Sequence, residues 1–401
     1  MTERFRGVVL SGGGARGAYA AGVLLALREV DKIERERPDA TPEQKAPITY
    51  FYVGTSVGAL NAALAAQGKL DDLARIYLRE ATKQRLLGDD SADVTKWGMV
   101  KRGGRVPFAY FDSSGLASLI QNHVDFDALA NAHLLVCATA FKSGKRVTFY
   151  RSKLVDEFRA EDSEVSEDRR RLQDYEPLET MEQLHSALLA SAAIPFFYPP
   201  VTVRGTSYVD GGVGNNTPTR QAARFARFLE KLDKGKSEFT VCVIQDPVSF
   251  IMLPDVKADL SNVVQRTLDI FGHTLTEATL EGWQRINREV AKAQERAAQL
   301  QALIDSDPNV PEKTKERFRA EIVGMFDLTT ALAPRVEQDL LVIRPSNTLP
   351  SSGPLDFDVA KSRTLMKIGY EDFLNVARAR NMIIQEERNL LSNKTDLPFN
   401  Q

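Results

Sequence analysis

The stretch TYFYVGTSVGALNAALAAQ, residues 49–67, decides the fold. Its opening, Thr49 to Val53, is a short aromatic and β-branched run without charge, the composition of a strand buried on both faces. From Val57 to Gln67, Ala and Leu at helical spacing take over. Between them lies Gly54-Thr55-Ser56-Val57-Gly58, a turn that sets small residues on either side of a serine. A strand passing into a helix across five residues is a β-α unit, and the chain repeats it.

Upstream, the strand Val8 to Ser11 precedes a helical pattern from Ala18 to Val30. Downstream, short apolar runs recur at Leu134 to Ala140, Val201 to Val209, Phe239 to Gln245 and Leu340 to Arg344. Strands separated by helices predict an α/β fold with a largely parallel sheet covered on both faces. Two regions break the rhythm. Residues 151–180, dense in Asp, Glu and Arg, are expected to form a solvated loop region or short helix. Residues 256–334 read as a helical insertion between two strands, with Leu268, Phe271 and Leu275 at helical spacing. The polar end, residues 392–401, is expected to be loose. Residues 1–401 are otherwise read as a single domain.

With 43% hydrophobic and 26% charged residues the chain has the makings of a large core, and a net charge of −2 offers no attraction to nucleic acid. No signal-peptide pattern precedes Val8 and no apolar run reaches ~18 residues. A cytoplasmic protein is expected, any membrane contact being peripheral. Cys137 and Cys242 lie in apolar runs, as buried reduced thiols do. Neither an Asp-rich calcium loop nor a zinc-binding His-Glu-x-x-His pattern occurs, so neither metal nor cofactor is expected. Nothing in the sequence bears on oligomeric state.

Chemistry concentrates at three places. The first is Gly12-Gly13-Gly14-Ala15-Arg16-Gly17, between the first strand and its helix. Consecutive glycines let backbone N–H groups converge, and a helix N-terminus adds positive potential, so this loop suits an anion. The same residues satisfy the dinucleotide fingerprint, which also needs a carboxylate at the end of the second strand. Here that strand ends in Gly54-Thr55-Ser56, and the dinucleotide reading falls. The second place is Ser56, a candidate nucleophile, with Gly54 and Gly58 giving the sharp turn its room. The third is Asp210 in Tyr208-Val209-Asp210-Gly211-Gly212, a carboxylate at the end of the run VTVRGTSYV. Of the four histidines, His123, His133 and His185 precede Asp210 and His273 lies in a helical pattern, so none fits the Ser-acid-His order of an α/β-hydrolase. A carboxylate able to take the serine proton must be held above its usual pKa near ~4. The competing reading gives Asp210 a turn-capping role.

A GGGxRG loop after the first strand, GxSxG after the second and a late DGG, in this order, resemble the patatin-like phospholipase family; SAAIPFFYPPV, YVDGGVGNNTP and the C-terminal LDFD and GYEDFL segments resemble bacterial members. The resemblance implies a three-layer α/β/α fold and a lipid acyl hydrolase with a Ser56–Asp210 dyad, acting on phospholipid or other lipid esters. Gly12, Gly13, Gly14, Arg16 and Gly17 match its oxyanion loop, Gly54 and Gly58 its nucleophile elbow, Gly211 and Gly212 its DGG motif. Arg16 is expected to steady the loop. The alternative is a lipid-sensing module with the same pocket and little turnover.

Overall fold

A computed structural model describes residues 4–87, 109, 111, 113–163, 173–232, 237–244, 260–326, 339–346, 349–350 and 353–401. Its strands are β1 (Arg4–Leu10), β2 (Ile48–Thr55), β3 (His133–Ala140), β4 (Arg146–Ser152), β5 (Gln173–Pro177), β6 (Val201–Val203), β7 (Thr206–Asp210), β8 (Ser237–Val243) and β9 (Leu340–Ile343). Its helices are α1 (Gly17–Glu36), α2 (Pro42–Lys45), α3 (Val57–Ala66), α4 (Leu70–Arg75), α5 (Lys83–Leu87), α6 (Ser114–His123), α7 (Val155–Ser163), α8 (Met181–Ser191), α9 (Thr219–Lys231), α10 (Leu260–Ser306), α11 (Glu312–Phe326), α12 (Val359–Ala379) and α13 (Gln385–Ser392). A π-helical turn over Ile76–Glu80 continues α4.

The strands form one sheet in the order β5-β4-β3-β2-β1-β8-β9, with the β6–β7 hairpin joined to β3 through β7. β1 pairs in parallel with β2 and β8, β2 with β3, β4 with β5 and β8 with β9; β3 is antiparallel to β4 and β7. Alternate residues feed opposite faces. Val8, Leu10, Leu134 and Val136 join one apolar cluster with α1, α3 and α12. Phe5, Phe51 and His133 point the other way, where Phe225 of α9 lies 5.3 Å from Phe51 and 5.2 Å from His133, and Phe158 of α7 meets Phe228. Helices therefore cover both faces, which is why Val8 to Leu10, Phe51 to Val53 and Leu134 to Val136 are apolar on both sides. The expected three-layer α/β/α fold with a largely parallel sheet is present.

Three expectations need correction. The run Val201 to Val209 is two strands, because Arg204 at φ 47° and Gly205 at φ 78° make a two-residue turn that folds it back on itself. Within the charged region 151–180, Val155–Ser163 is a short helix as expected, and the departure is Gln173–Pro177, the edge strand beside β4; residues 164–172 lie outside the described residues. The polar tail is docked rather than loose. Leu397 and Phe399 are buried, Phe399 meets Tyr370 of α12, and Arg363 donates to the Phe399 carbonyl oxygen at 2.9 Å.

The chain divides into two compact units, residues 1–275 with 340–401, and residues 276–339. The insertion is helical where described, since α10 and α11 occupy 260–306 and 312–326, while 256–259 and 327–334 lie outside the described residues. Within the second unit Arg319 reaches Asp305 at 2.8 Å and Glu312 at 3.0 Å, tying α11 to the end of α10.

Candidate active site

β2 ends at Thr55 and α3 begins at Val57, so Ser56 carries the whole change of direction. Its φ of 56° and ψ of −131° are costly for a side chain with a Cβ, about 1–3 kcal/mol, and are kept only where the surroundings enforce them. The enforcement is visible. A Cβ on Gly54 would lie 2.4 Å from the Gly58 carbonyl oxygen, and one on Gly58 would lie 2.3 Å from that of Leu10. The strand and helix thus approach as closely as bare backbone allows. Ser191, at the end of α8 and wholly buried, accepts the Ser56 N–H at 3.0 Å and donates to the Cys137 carbonyl oxygen at 2.6 Å. No motif in the sequence marks Ser191.

Sheet register brings Asp210 to Ser56. On one edge of β3, β2 pairs as far as Thr55 opposite Cys137; β7 takes over at the next residue, with Asp210 opposite Ala138. The two strands meet nearly end to end, and the residues at the junction are Ser56 and Asp210. Both are about 5% exposed. Asp210 Oδ1 accepts the Gly212 N–H at 2.6 Å; Oδ2 is buried and, among the described residues, has no partner at full hydrogen-bond geometry. Burial pushes the carboxyl up to about 7, against the downward pull of the Ser56 hydroxyl and the Gly212 N–H. A carboxyl held there has the pKa that proton transfer at neutral pH requires. Gly211 packs so closely on β3 that a Cβ would lie 2.2 Å from the Cys137 carbonyl oxygen.

The Gly-rich loop completes the arrangement. The Gly12 N–H donates to the Asn216 carbonyl oxygen at 3.1 Å and that of Ala15 to the Pro354 carbonyl oxygen at 2.7 Å, so the loop is pinned at both sides. Among the described residues, the N–H groups of Gly13 and Gly14 between them have no protein acceptor. Gly14 has φ 56°, and a Cβ there would lie 2.0 Å from Pro354 O. Gly17 opens α1 under the Tyr77 hydroxyl, and Asn61 links that hydroxyl to the Gly17 carbonyl oxygen. Arg16 forms a largely buried ion pair with Asp269 of α10, at 2.9 Å. Asp269 and Asn216 are further residues the motifs did not announce, since their roles come from backbone and ion-pair contacts distant in sequence.

Ser56 stands between two clefts. One, about 790 Å³, is walled by aliphatic side chains of α3, α4 and α6 with Ala192, Ile194 and Tyr198. The other, about 600 Å³, holds Gly12, Gly13, Gly14, Asp210, Gly212 and Asn216. His133 bonds Ser152 and is held down to about 3 by burial, then by Lys153; His185 meets the Val124 carbonyl oxygen and His123 meets Glu80. Among the described residues no cluster of three His, Cys, Asp or Glu side chains could hold a metal. Cys137 and Cys242 are free and buried.

Fold and geometry together define a three-layer α/β protein with a serine elbow at the carboxyl edge of its sheet and a buried aspartate facing it. Residues 8–223, more than half of the chain, match the patatin-like phospholipase family, and the chain belongs to that family. It is 28% identical over 228 residues to the protein YjjU of Escherichia coli (strain K12), in an alignment covering 54% of this chain and 48% of that one. The chain thus spans about half the length of this curated relative. It also aligns with VipD from Legionella pneumophila at 12% identity and a TM-score of 0.34, over 94% of this chain and 67% of that one. No described helix is long and apolar enough to cross a membrane.

Proposed function

We propose that the protein hydrolyses carboxylic esters of lipids through an acyl-enzyme on Ser56. The Ser56 oxygen attacks the ester carbonyl carbon while Asp210 Oδ2 takes its proton. The Gly13 and Gly14 N–H groups hold the oxyanion that forms. The C–O bond to the leaving alcohol breaks and Asp210 returns the proton to it. Water then repeats the cycle, giving a carboxylic acid and free Ser56. Nucleophile, base and oxyanion donors all come from the chain, so no metal is assigned a role.

The observation that carries this reading is the β2–β3–β7 register, which sets a buried carboxylate with a free oxygen beside a strained serine. The larger, apolar cleft suits the acyl chain and the smaller one the leaving group. Membrane contact is a further part of the proposal. Phe196, 63% exposed at φ 71°, stands next to Ile194 and Pro195 of the cleft wall, and Phe271 of α10 is 45% exposed. Exposed aromatic side chains around a lipid-accepting cleft favour an interface as the place of work.

Purified protein with short-chain p-nitrophenyl esters and phospholipid vesicles, in excess chelator, tests the proposal. Turnover that disappears in both Ser56→Ala and Asp210→Asn supports it. Tight lipid binding with no turnover and no labelling by a fluorophosphonate would instead favour a lipid-sensing module.

A further inference from the structure

The larger cleft has a direction. Val57, Leu60, Asn61 and Leu64 of α3 line it, the i, i+3, i+4, i+7 stripe of one helix face, starting directly after Ser56. At 1.5 Å per residue, Leu64 is about 12 Å along the helix from Ser56. α6 supplies a second stripe of the same spacing, Leu116, Leu119, Ile120 and His123. The end of α6 is tied to the chain just beyond α3. Lys69 Nζ donates to the His123 carbonyl oxygen at 3.2 Å, and the Asp125 N–H donates to Gln67 Oε1 at 3.1 Å. His123 therefore stands at the end of the cleft away from Ser56.

There the lining changes character. The polar groups nearer Ser56, Asn61 and Tyr77, are bonded to each other and to the Gly17 carbonyl oxygen. Among the described lining residues, His123 is the one imidazole. Its Nε2 lies 3.1 Å from Glu80 Oε2, which also accepts from Arg85 Nη1 at 2.6 Å. The cleft is apolar along its length and ends in a half-buried, hydrogen-bonded polar cluster.

Resting on the hydrolase reading above, we infer that His123 is the stop of the acyl-binding cleft and sets the length of acyl chain the protein accepts. A chain that ends before His123 buries its methylene groups against aliphatic walls. A longer chain must press a methyl end on the imidazole, stripping water from the cluster or displacing it, with no hydrogen bond in return. The substrates are accordingly esters of medium-length acyl groups.

The test is the kcat/KM series for p-nitrophenyl butyrate, octanoate and palmitate. Octanoate is expected to exceed palmitate in the wild type. His123→Ala removes the stop and raises the palmitate-to-octanoate ratio about tenfold, and Leu64→Trp brings the wall forward and lowers the octanoate-to-butyrate ratio by a similar factor. Ratios are independent of the fraction of each variant that folds. Wild type that prefers palmitate, or ratios unmoved in both variants while butyrate is turned over, overturns the stop and leaves the hydrolase reading intact. Wild type that turns over none of the esters contradicts both.

Discussion

Asp210 carries opposite consequences for activity and for stability. In the proposed mechanism only the carboxylate accepts the Ser56 proton, and burial holds the carboxyl up to about 7. Ester hydrolysis should therefore rise about tenfold per pH unit on the acid side and level off above that point. A kcat/KM profile flat down to pH ~5 would remove Asp210 from the role of base. Stability runs the other way. Unfolded, the group titrates near ~4, so between about 4 and 7 the native state binds more protons than the unfolded chain, and stability falls as pH rises through that window. Asp210→Asn removes the ionisation, and the variant should be inactive yet more stable than wild type by about 2–4 kcal/mol at pH 8, the gap closing toward pH 4. Urea unfolding at the two pH values measures this; an Asn variant less stable at both would mean that the carboxylate is a net stabiliser of the fold.

At the scale of elements, the turn after β2 depends on a contact 135 residues away in sequence. Ser191→Ala would leave the Ser56 N–H buried without its acceptor, a loss of about 1–3 kcal/mol. If the strained turn aims Ser56 as the proposed nucleophile, kcat should fall while KM stays nearly unchanged. Steady-state kinetics beside thermal unfolding separates this from simple destabilisation, and an unaltered kcat would show that the elbow holds without its latch. The elbow itself was legible in the sequence, since Gly54, Ser56 and Gly58 are neighbours and the change from strand to helix spacing is local. Ser191 was not, since a serine on an apolar helix end gives no sign of which backbone it will meet. The hairpin is hidden in the sequence for a related reason. Two-residue turns are usually announced by Asn-Gly or Asp-Gly, and Arg204 is a rare occupant of a positive-φ position.

At the scale of the whole molecule, the layered fold was legible because uncharged strands buried on both faces can be built only with helices on each side. The meeting of β2 and β7 on one edge of β3 was beyond reach, since register is written in pairings and not in composition. The polar average of the tail hides Leu397 and Phe399, which anchor it. If the exposed aromatic rim works at an interface, Phe196→Asp should lower hydrolysis of vesicle lipid more than that of a soluble butyrate ester; equal losses on both would assign Phe196 to local structure. All of this rests on Ser56 acting as nucleophile. Intact-protein mass spectrometry after exposure to a fluorophosphonate measures it most directly. One adduct per chain, mapped to Ser56 and absent from Ser56→Ala, is the predicted result; an adduct that persists in Ser56→Ala, or ester turnover by that variant at the wild-type rate, would contradict it.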